Sequence, residues 1–232
     1  MTLFTALVPN LNQNSLKKPV YNLAAKIREE KFNTISHAIG IVMGMASTAL
    51  LITFSAIWGN VWQIVSYAIF GASLITLYTA STLYHGASRP RLKYYLNKFD
   101  HSAIFVLIAG SYTPVALAVL GGTAGWVLFG VTWAIATAGI VYKIWFYSHR
   151  HRKVSAWLYV GMGWQAMFVI KPLVEQLPVS SLWLIVAGGL AYTAGVLFYI
   201  RKGRPLTHFI FHLFVLAGSL LHVLAFVFYT LA

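Results

Sequence analysis

The chain has 232 residues, of which 59% are hydrophobic and 9% are charged. Soluble domains carry about 25% charged residues, so this composition excludes an ordinary soluble protein. A net charge of +13 would suggest a nucleic-acid-binding protein in a soluble chain. Here the basic residues lie in short connections between long apolar blocks, so no nucleic-acid partner is expected. The absence of cysteine means that a metal site must use His, Asp or Glu.

The polar start of the chain is separate from its apolar remainder. Residues 1–32 are predicted to form a cytoplasmic leader, and residues 33–232 a seven-helix transmembrane domain. The segment from Asn33 to Ser36 is expected to cap the first helix, with Glu29 and Glu30 near its positive N-terminal end.

The apolar residues occur in seven blocks, each close to the ~20 residues that a helix needs to cross a bilayer. Because these runs are continuous and do not alternate with polar residues, they predict an all-α polytopic membrane protein and not a barrel. The predicted spans are approximately residues 34–57, 62–85, 101–120, 123–146, 155–176, 180–200 and 206–230.

Positive charge alternates along the chain. Sixteen of the 17 lysines and arginines lie in the leader or near the connections between spans two and three, four and five, and six and seven. Lys171, late in span five, is the exception. By the positive-inside rule, the N-terminus is predicted to be cytoplasmic and the C-terminus outside.

This topology places polar side chains from four spans at the cytoplasmic leaflet, where ionisable residues within the bilayer are costly and usually functional. They are Ser36 and His37 of span one, Ser81 and His85 of span two, Asp100 and His101 of span three, and His208 and His212 of span seven.

Three of these histidines are predicted to form a metal site. The spacing of His208 and His212 puts both rings on one face of a helix, one turn apart. Together with His85 and one oxygen ligand they would make a tetrahedral zinc site, and an open fourth position is typical of catalytic zinc. Zinc lowers the pKa of its bound water to about 7, which makes a nucleophile at neutral pH.

Asp100 and Ser81 are the candidate catalytic residues beside this metal. Asp100 could accept a proton from the metal-bound water as general base, or it could cap span three or pair with Lys98. Ser81 lies one turn before His85 and could hydrogen-bond to that water, to a developing oxyanion or to an imidazole N–H.

The histidines at 37 and 222 have a simpler interpretation. A lone intramembrane histidine often only bonds to a neighbouring carbonyl. This interpretation is favoured for His222, while for His37 a functional role is equally open. His222 lies fourteen residues after His208, about 21 Å along a helix, and is not expected to share the metal.

Several motifs resemble the hemolysin III and progestin/adiponectin-receptor family, to which alkaline ceramidases are more distantly similar. The resemblance covers about residues 26–230. The motifs are Ser81-Thr82-Leu83-Tyr84-His85, Phe99-Asp100-His101 leading to Gly110-Ser111-Tyr112-Thr113-Pro114, His208-x-x-x-His212, and the opening Glu30-x-x-Asn33-x-x-Ser36-His37.

The resemblance implies seven transmembrane helices with an intracellular N-terminus, and zinc held by His85, His208 and His212 with Asp100 and Ser81 beside its water. Receptor members of the family are associated with hydrolysis of a ceramide-like amide. The short leader suggests a bacterial hemolysin III-type member of the plasma (inner) membrane.

Two functions are therefore open. The first is a zinc-dependent hydrolase of lipid amide or ester bonds, with membrane lipids as environment and substrate. The alternative is a non-catalytic membrane-homeostasis, lipid-sensing or cytolytic protein in which zinc is structural. A seven-helix retinal pump is excluded, because residues 206–232 contain no lysine to form the Schiff base.

Overall fold

The computed structural model describes residues 19–146, 152–201 and 206–232, and all regular secondary structure in these ranges is helical. A π-helical turn, Val115–Leu120, continues the third helix, and a 3-10 turn, Gln165–Val169, follows the fifth. The α-helices are α1 Pro19–Trp58, α2 Val61–Gly86, α3 Pro90–Pro114, α4 Gly122–Trp145, α5 Arg152–Gly163, α6 Ile170–Gln176, α7 Val179–Ile200 and α8 Thr207–Leu231.

Six segments of the described chain are helical, long and apolar enough to cross a bilayer. They confirm the predicted all-α polytopic membrane protein and agree with six of the seven predicted spans. These segments are Ala25–Trp58, Val61–Gly86, Pro90–Leu120, Gly122–Trp145, Val179–Ile200 and Thr207–Leu231.

The predicted fifth span is not one continuous helix. It is divided into α5 of 12 residues, the 3-10 turn of 5 residues and α6 of 7 residues. Pro172 contributes to this break, because it has no N–H to bond to the carbonyl four residues earlier. The prediction of a single helix over 155–176 is therefore wrong.

The broken segment nevertheless runs alongside α3. The Tyr159 hydroxyl of α5 donates to the His101 carbonyl, and the Gly163 carbonyl accepts from the Tyr112 hydroxyl. Beyond this point α6 contacts the π-helical turn that extends α3. The segment thus follows α3 from its His101 end to its Val115 end, as the predicted fifth span would.

The first helix begins earlier than predicted. Helix α1 starts at Pro19, a residue favoured at the first helical position. It continues through Asn33 and Ser36, so the predicted cap at these residues is wrong. The Thr34 hydroxyl donates to the Glu30 carbonyl at 2.8 Å, as a serine or threonine inside a helix does. The proposed boundary between leader and transmembrane domain stays a prediction, and residues 1–18 lie outside the described residues.

Helix α2 packs against α1 and α3. Its aromatic residues Tyr67, Phe70 and Tyr78 are fully buried. The Tyr78 hydroxyl donates to Ser219 Oγ of α8 at 2.7 Å, and Tyr192 of α7 lies 2.8 Å from the same oxygen. The Tyr78–Ser219 hydrogen bond links α2 to α8. These two helices carry the predicted metal ligands.

Candidate metal centre

His85, His208 and His212 come together, as the topology predicts. His85 lies in the last turn of α2, and the other two rings project from the first turns of α8. The Nε2 atom of His208 is 3.2 Å from Nε2 of His85 and 3.2 Å from Nε2 of His212. Two nitrogens bound to one tetrahedral zinc are about 3.3 Å apart, because each lies about 2.0–2.1 Å from the ion. The cluster could therefore hold a metal ion.

A carboxylate fixes the orientation of the His85 ring. Glu30 Oε2 of α1 lies 2.8 Å from His85 Nδ1, and it also accepts from Lys93 Nζ at 3.1 Å. A carboxylate can only accept a hydrogen bond, so Nδ1 must carry the ring hydrogen. The Nε2 lone pair of His85 is then free to bind a metal.

A serine fixes the His212 ring in the same way. Ser36 Oγ lies 3.3 Å from His212 Nδ1 and donates its hydrogen to the Asn33 carbonyl at 3.0 Å. Because that hydrogen is already used, Ser36 must accept from Nδ1–H, which leaves Nε2 of His212 as the free nitrogen. The His37 ring of α1 stacks on the His212 ring, with 3.6 Å between the ring centroids and 12° between the ring planes.

The two candidate catalytic residues line the interior cavity that adjoins His208 and His212. Ser81 is buried, and its Oγ has no hydrogen-bond partner among the described residues. Asp100 is buried, and its Oδ2 lies 3.3 Å from His101 Nδ1. Their catalytic roles stay predictions.

The alternative roles of Asp100 do not agree with its position. It is well inside α3, which begins at Pro90, so it does not cap that helix. Lys98 donates to the Ile144 carbonyl at 2.7 Å and forms no ion pair with Asp100 in the described chain. Asp100 is therefore available to the cavity.

The family model described as Haemolysin-III related matches residues 25–223, which include every residue of this cluster and its surroundings. The chain belongs to the Haemolysin-III related family. This confirms the resemblance seen in the sequence motifs.

Bacterial and animal relatives of this family are similar to the chain. The Hemolysin-3 homolog of Bacillus subtilis (strain 168) is 44% identical over 193 residues, which cover 83% of this chain and 90% of the relative. Hemolysin-3 of Bacillus cereus is 38% identical over 205 residues, covering 88% and 93%. The monocyte to macrophage differentiation factor of Homo sapiens is 28% identical over 204 residues, covering 85% and 82%.

In this Haemolysin-III related protein, two glutamates of α1 contact the histidine cluster, which the sequence did not predict. Glu29 and Glu30 were expected near a helix N-terminus, but Glu30 binds His85 and Glu29 Oε1 accepts from the His208 backbone N–H at 3.2 Å. The spacing of Glu30, Asn33 and Ser36 or His37 places them on one helix face. That periodicity would have indicated their shared role if α1 had been extended toward the N-terminus.

A buried lysine also lies near this region. Lys143, counted among the cytoplasmic loop charges, is 1% exposed, and its Nζ lies 5.6 Å from the centre of the Tyr159 ring. It belongs to the interior of the bundle and not to a solvated loop.

Most of the cavity wall is apolar. It includes Leu77, Leu107, Val196 and Val215. A second cavity, bounded by side chains such as Leu173, shares part of its lining with the first. The shared lining residues are Ser111, Tyr112, Gly163, Trp164, Gly189 and His222. A second cavity therefore adjoins the one beside the histidine cluster.

Proposed function

We propose that this Haemolysin-III related protein is a zinc-dependent hydrolase of the bacterial plasma (inner) membrane that cleaves amide or ester bonds in lipids, as a ceramidase does. The observation that carries the proposal is the convergence of three Nε2 atoms beside a cavity lined by Asp100 and Ser81. The bacterial relatives support the proposed location.

The donor set favours zinc. His85, His208 and His212 would hold it, and three neutral imidazoles without a carboxylate ligand suit a tetrahedral zinc with one open position. Bound zinc would polarise a carbonyl and lower the pKa of a water molecule to about 7. Hydrogen bonds from Nδ1–H of His85 to Glu30 and from Nδ1–H of His212 to Ser36 keep these rings in the tautomer that such binding requires.

Asp100 transfers the proton in the proposed reaction, and Ser81 hydrogen-bonds to the substrate carbonyl. The Asp100 carboxylate takes a proton from the attacking water and passes it to the leaving nitrogen or oxygen of the substrate. The 3.3 Å contact with His101 holds that carboxylate in place. The Ser81 hydroxyl, which has no partner among the described residues, donates to the substrate carbonyl oxygen as charge develops there.

The shape of the interior fits a lipid substrate. Ligand pockets are mostly apolar, with a few polar groups that fix orientation. Here Asp100 and Ser81 line a cavity whose walls are mostly apolar side chains. An acyl chain fits this space when its amide or ester group lies beside Asp100 and Ser81.

The test combines metal analysis with lipid analysis. The purified protein is expected to contain zinc and to release fatty acid from a bacterial lipid extract, as measured by mass spectrometry. His212→Ala should lose both properties. Asp100→Asn should keep zinc and lose about 10²–10⁴-fold in rate, and Ser81→Ala should keep zinc and lose about 10²–10³-fold. Full zinc occupancy without product from any extract would contradict the proposal.

A structural role for zinc is the second candidate. It is favoured by the distribution of the three ligands over α2 and α8, which a bound ion would tie together. In that case chelation should lower the melting temperature while no lipid is ever cleaved. Dye release from liposomes would separately test a cytolytic function, which the name Hemolysin-3 of the Bacillus cereus relative suggests.

A further inference from the structure

A second histidine position interrupts the apolar cavity. His222 of α8 lines both cavities, and it lies ten residues after His212, about 15 Å along the helix. Space for its ring is provided by Gly188 of α7, because a Cβ there would clash with His222 Cδ2 and Nε2. An ionisable side chain at such depth is costly and is usually functional.

The hydrogen bond of His222 determines its tautomer. Its Nε2 lies 3.3 Å from the Ile185 carbonyl oxygen. Because a carbonyl can only accept, Nε2 must carry the ring hydrogen, and Nδ1 of the neutral ring is then a pure acceptor. The described residues offer no partner to Nδ1, and buried acceptors are rarely left unpaired.

Nearby hydroxyl groups already use their hydrogens. Thr193 donates to the Gly189 carbonyl at 2.8 Å, and Ser111 donates to the Ile108 carbonyl at 2.9 Å. The Tyr112 hydroxyl donates to Gly163. The described residues therefore leave Nδ1 open to a donor that enters the cavity.

We propose that His222 is a binding site for a hydroxyl group on an acyl chain that occupies the cavity. The placement of the chain rests on the proposed function, because its head group lies at the metal centre and its hydroxyl about 15 Å away. Since Nδ1 only accepts, the site distinguishes a hydroxyl from a ketone oxygen at the same carbon, which could not donate. An unsubstituted chain would leave Nδ1 unpaired.

The test measures binding and does not depend on turnover. Asp100→Asn protein in detergent would be titrated with four forms of stearic acid, with ligand binding followed by calorimetry. They are the unsubstituted acid, a form with a hydroxyl in the distal half of the chain, a form with a ketone at that same carbon, and a form with the hydroxyl next to the carboxyl group. The distal hydroxyl form should bind about tenfold more tightly than the other three, as one hydrogen bond allows.

Variants test whether His222 causes the preference for the distal hydroxyl form. His222→Leu should abolish the advantage of the distal hydroxyl, and Ser111→Ala, which alters a cavity hydroxyl that donates elsewhere, should retain it. His222→Gln, whose amide both donates and accepts, should bind the ketone form as well as the hydroxyl form. This second variant decides the matter if His222→Leu does not fold.

Equal binding of all four acids would overturn the proposal, and so would a preference for the distal hydroxyl form over the ketone form that survives in both His222→Leu and His222→Gln. Binding of none of the acids would overturn it as well. A protein that selects the distal hydroxyl but cleaves no lipid would support this site and reject the hydrolase. Failure of the His222 site and failure of the proposed hydrolase function are therefore distinguishable.

Discussion

At the scale of single residues, the orientation of the imidazole rings depends on the hydrogen-bond partners of their Nδ1 atoms. The Nδ1 atoms of His85 and His212 are each bound by a side chain of α1, and both contacts turn the Nε2 atoms toward each other. Glu30 and Ser36 are thus positioning residues, because they hold the ligands and do not reach the reacting atoms. Lys93 in turn holds Glu30.

Replacing Glu30 with glutamine should weaken metal binding. The charged acceptor of His85 Nδ1–H would be lost, so the ring would be a poorer and less fixed ligand, and zinc affinity should fall about 10–100-fold. Competition with a chelating dye measures this affinity. Glu175→Gln, a change at an exposed glutamate of α6, is the matched control and should leave the affinity unchanged. Equal affinities for both variants would contradict the role of Glu30.

At the scale of helices, the break between α5 and α6 is stabilised by one tyrosine. The Tyr112 hydroxyl donates to the Gly163 carbonyl at 2.6 Å and accepts from the Ala166 N–H at 2.8 Å. Backbone groups within a bilayer need such partners, because no water replaces them there. A side chain of α3 thereby substitutes for helical hydrogen bonds that the broken segment cannot make.

Tyr112→Phe should therefore destabilise the protein by about 1–3 kcal/mol, because it leaves a buried donor and a buried acceptor unpaired. Thermal unfolding in detergent measures the change. Tyr94→Phe removes the hydroxyl of an exposed tyrosine and should have little effect. If the two variants melt at the same temperature, the two hydrogen bonds of the Tyr112 hydroxyl contribute nothing to stability.

Close packing of α4 against α3 depends on Gly139. A Cβ at this position would clash with the Phe105 ring, whereas a Cβ at Gly130 of the same helix meets nothing within 4 Å. Gly139→Val should cost about 1–3 kcal/mol through overpacking, and Gly130→Val should not. Melting temperatures of the two variants give the comparison, and a loss confined to Gly130→Val would show that the helix contact is misassigned.

The sequence could predict six helices and the cluster of three histidines because long apolar runs and a four-residue histidine spacing are local signals. It could not predict the break in the fifth span, since the Tyr112 bridge joins residues more than fifty positions apart. Glu30 was misassigned for a related reason. Its partner His85 lies 55 residues away, and a polar helical extension resembles a solvated leader.

At the scale of the whole molecule, seven crossings would place the two ends of the chain on opposite sides of the membrane. The broken segment decides this arrangement, because without it the six continuous spans would place both ends on the same side. The orientation follows from the loop charges and stays a prediction.

Single cysteines introduced into the naturally cysteine-free chain would test the topology. With a membrane-impermeant maleimide on intact cells, Thr123→Cys and Ala232→Cys should be labelled, and Ser88→Cys should react only after lysis. All three positions are exposed. Labelling of Ser88→Cys together with protection of Ala232→Cys would reverse the orientation, and protection of Ala232→Cys alone would indicate six crossings.

The ligand set of three imidazoles also determines how the centre responds to oxidants. Thiolate ligands are converted by peroxide to sulfenic and higher acids, and a cysteine site loses its metal as this proceeds. His85, His208 and His212 contain no sulfur, and the chain has no cysteine to form a disulfide near them. The centre would therefore keep its donor atoms under oxidative stress that inactivates thiolate-based enzymes.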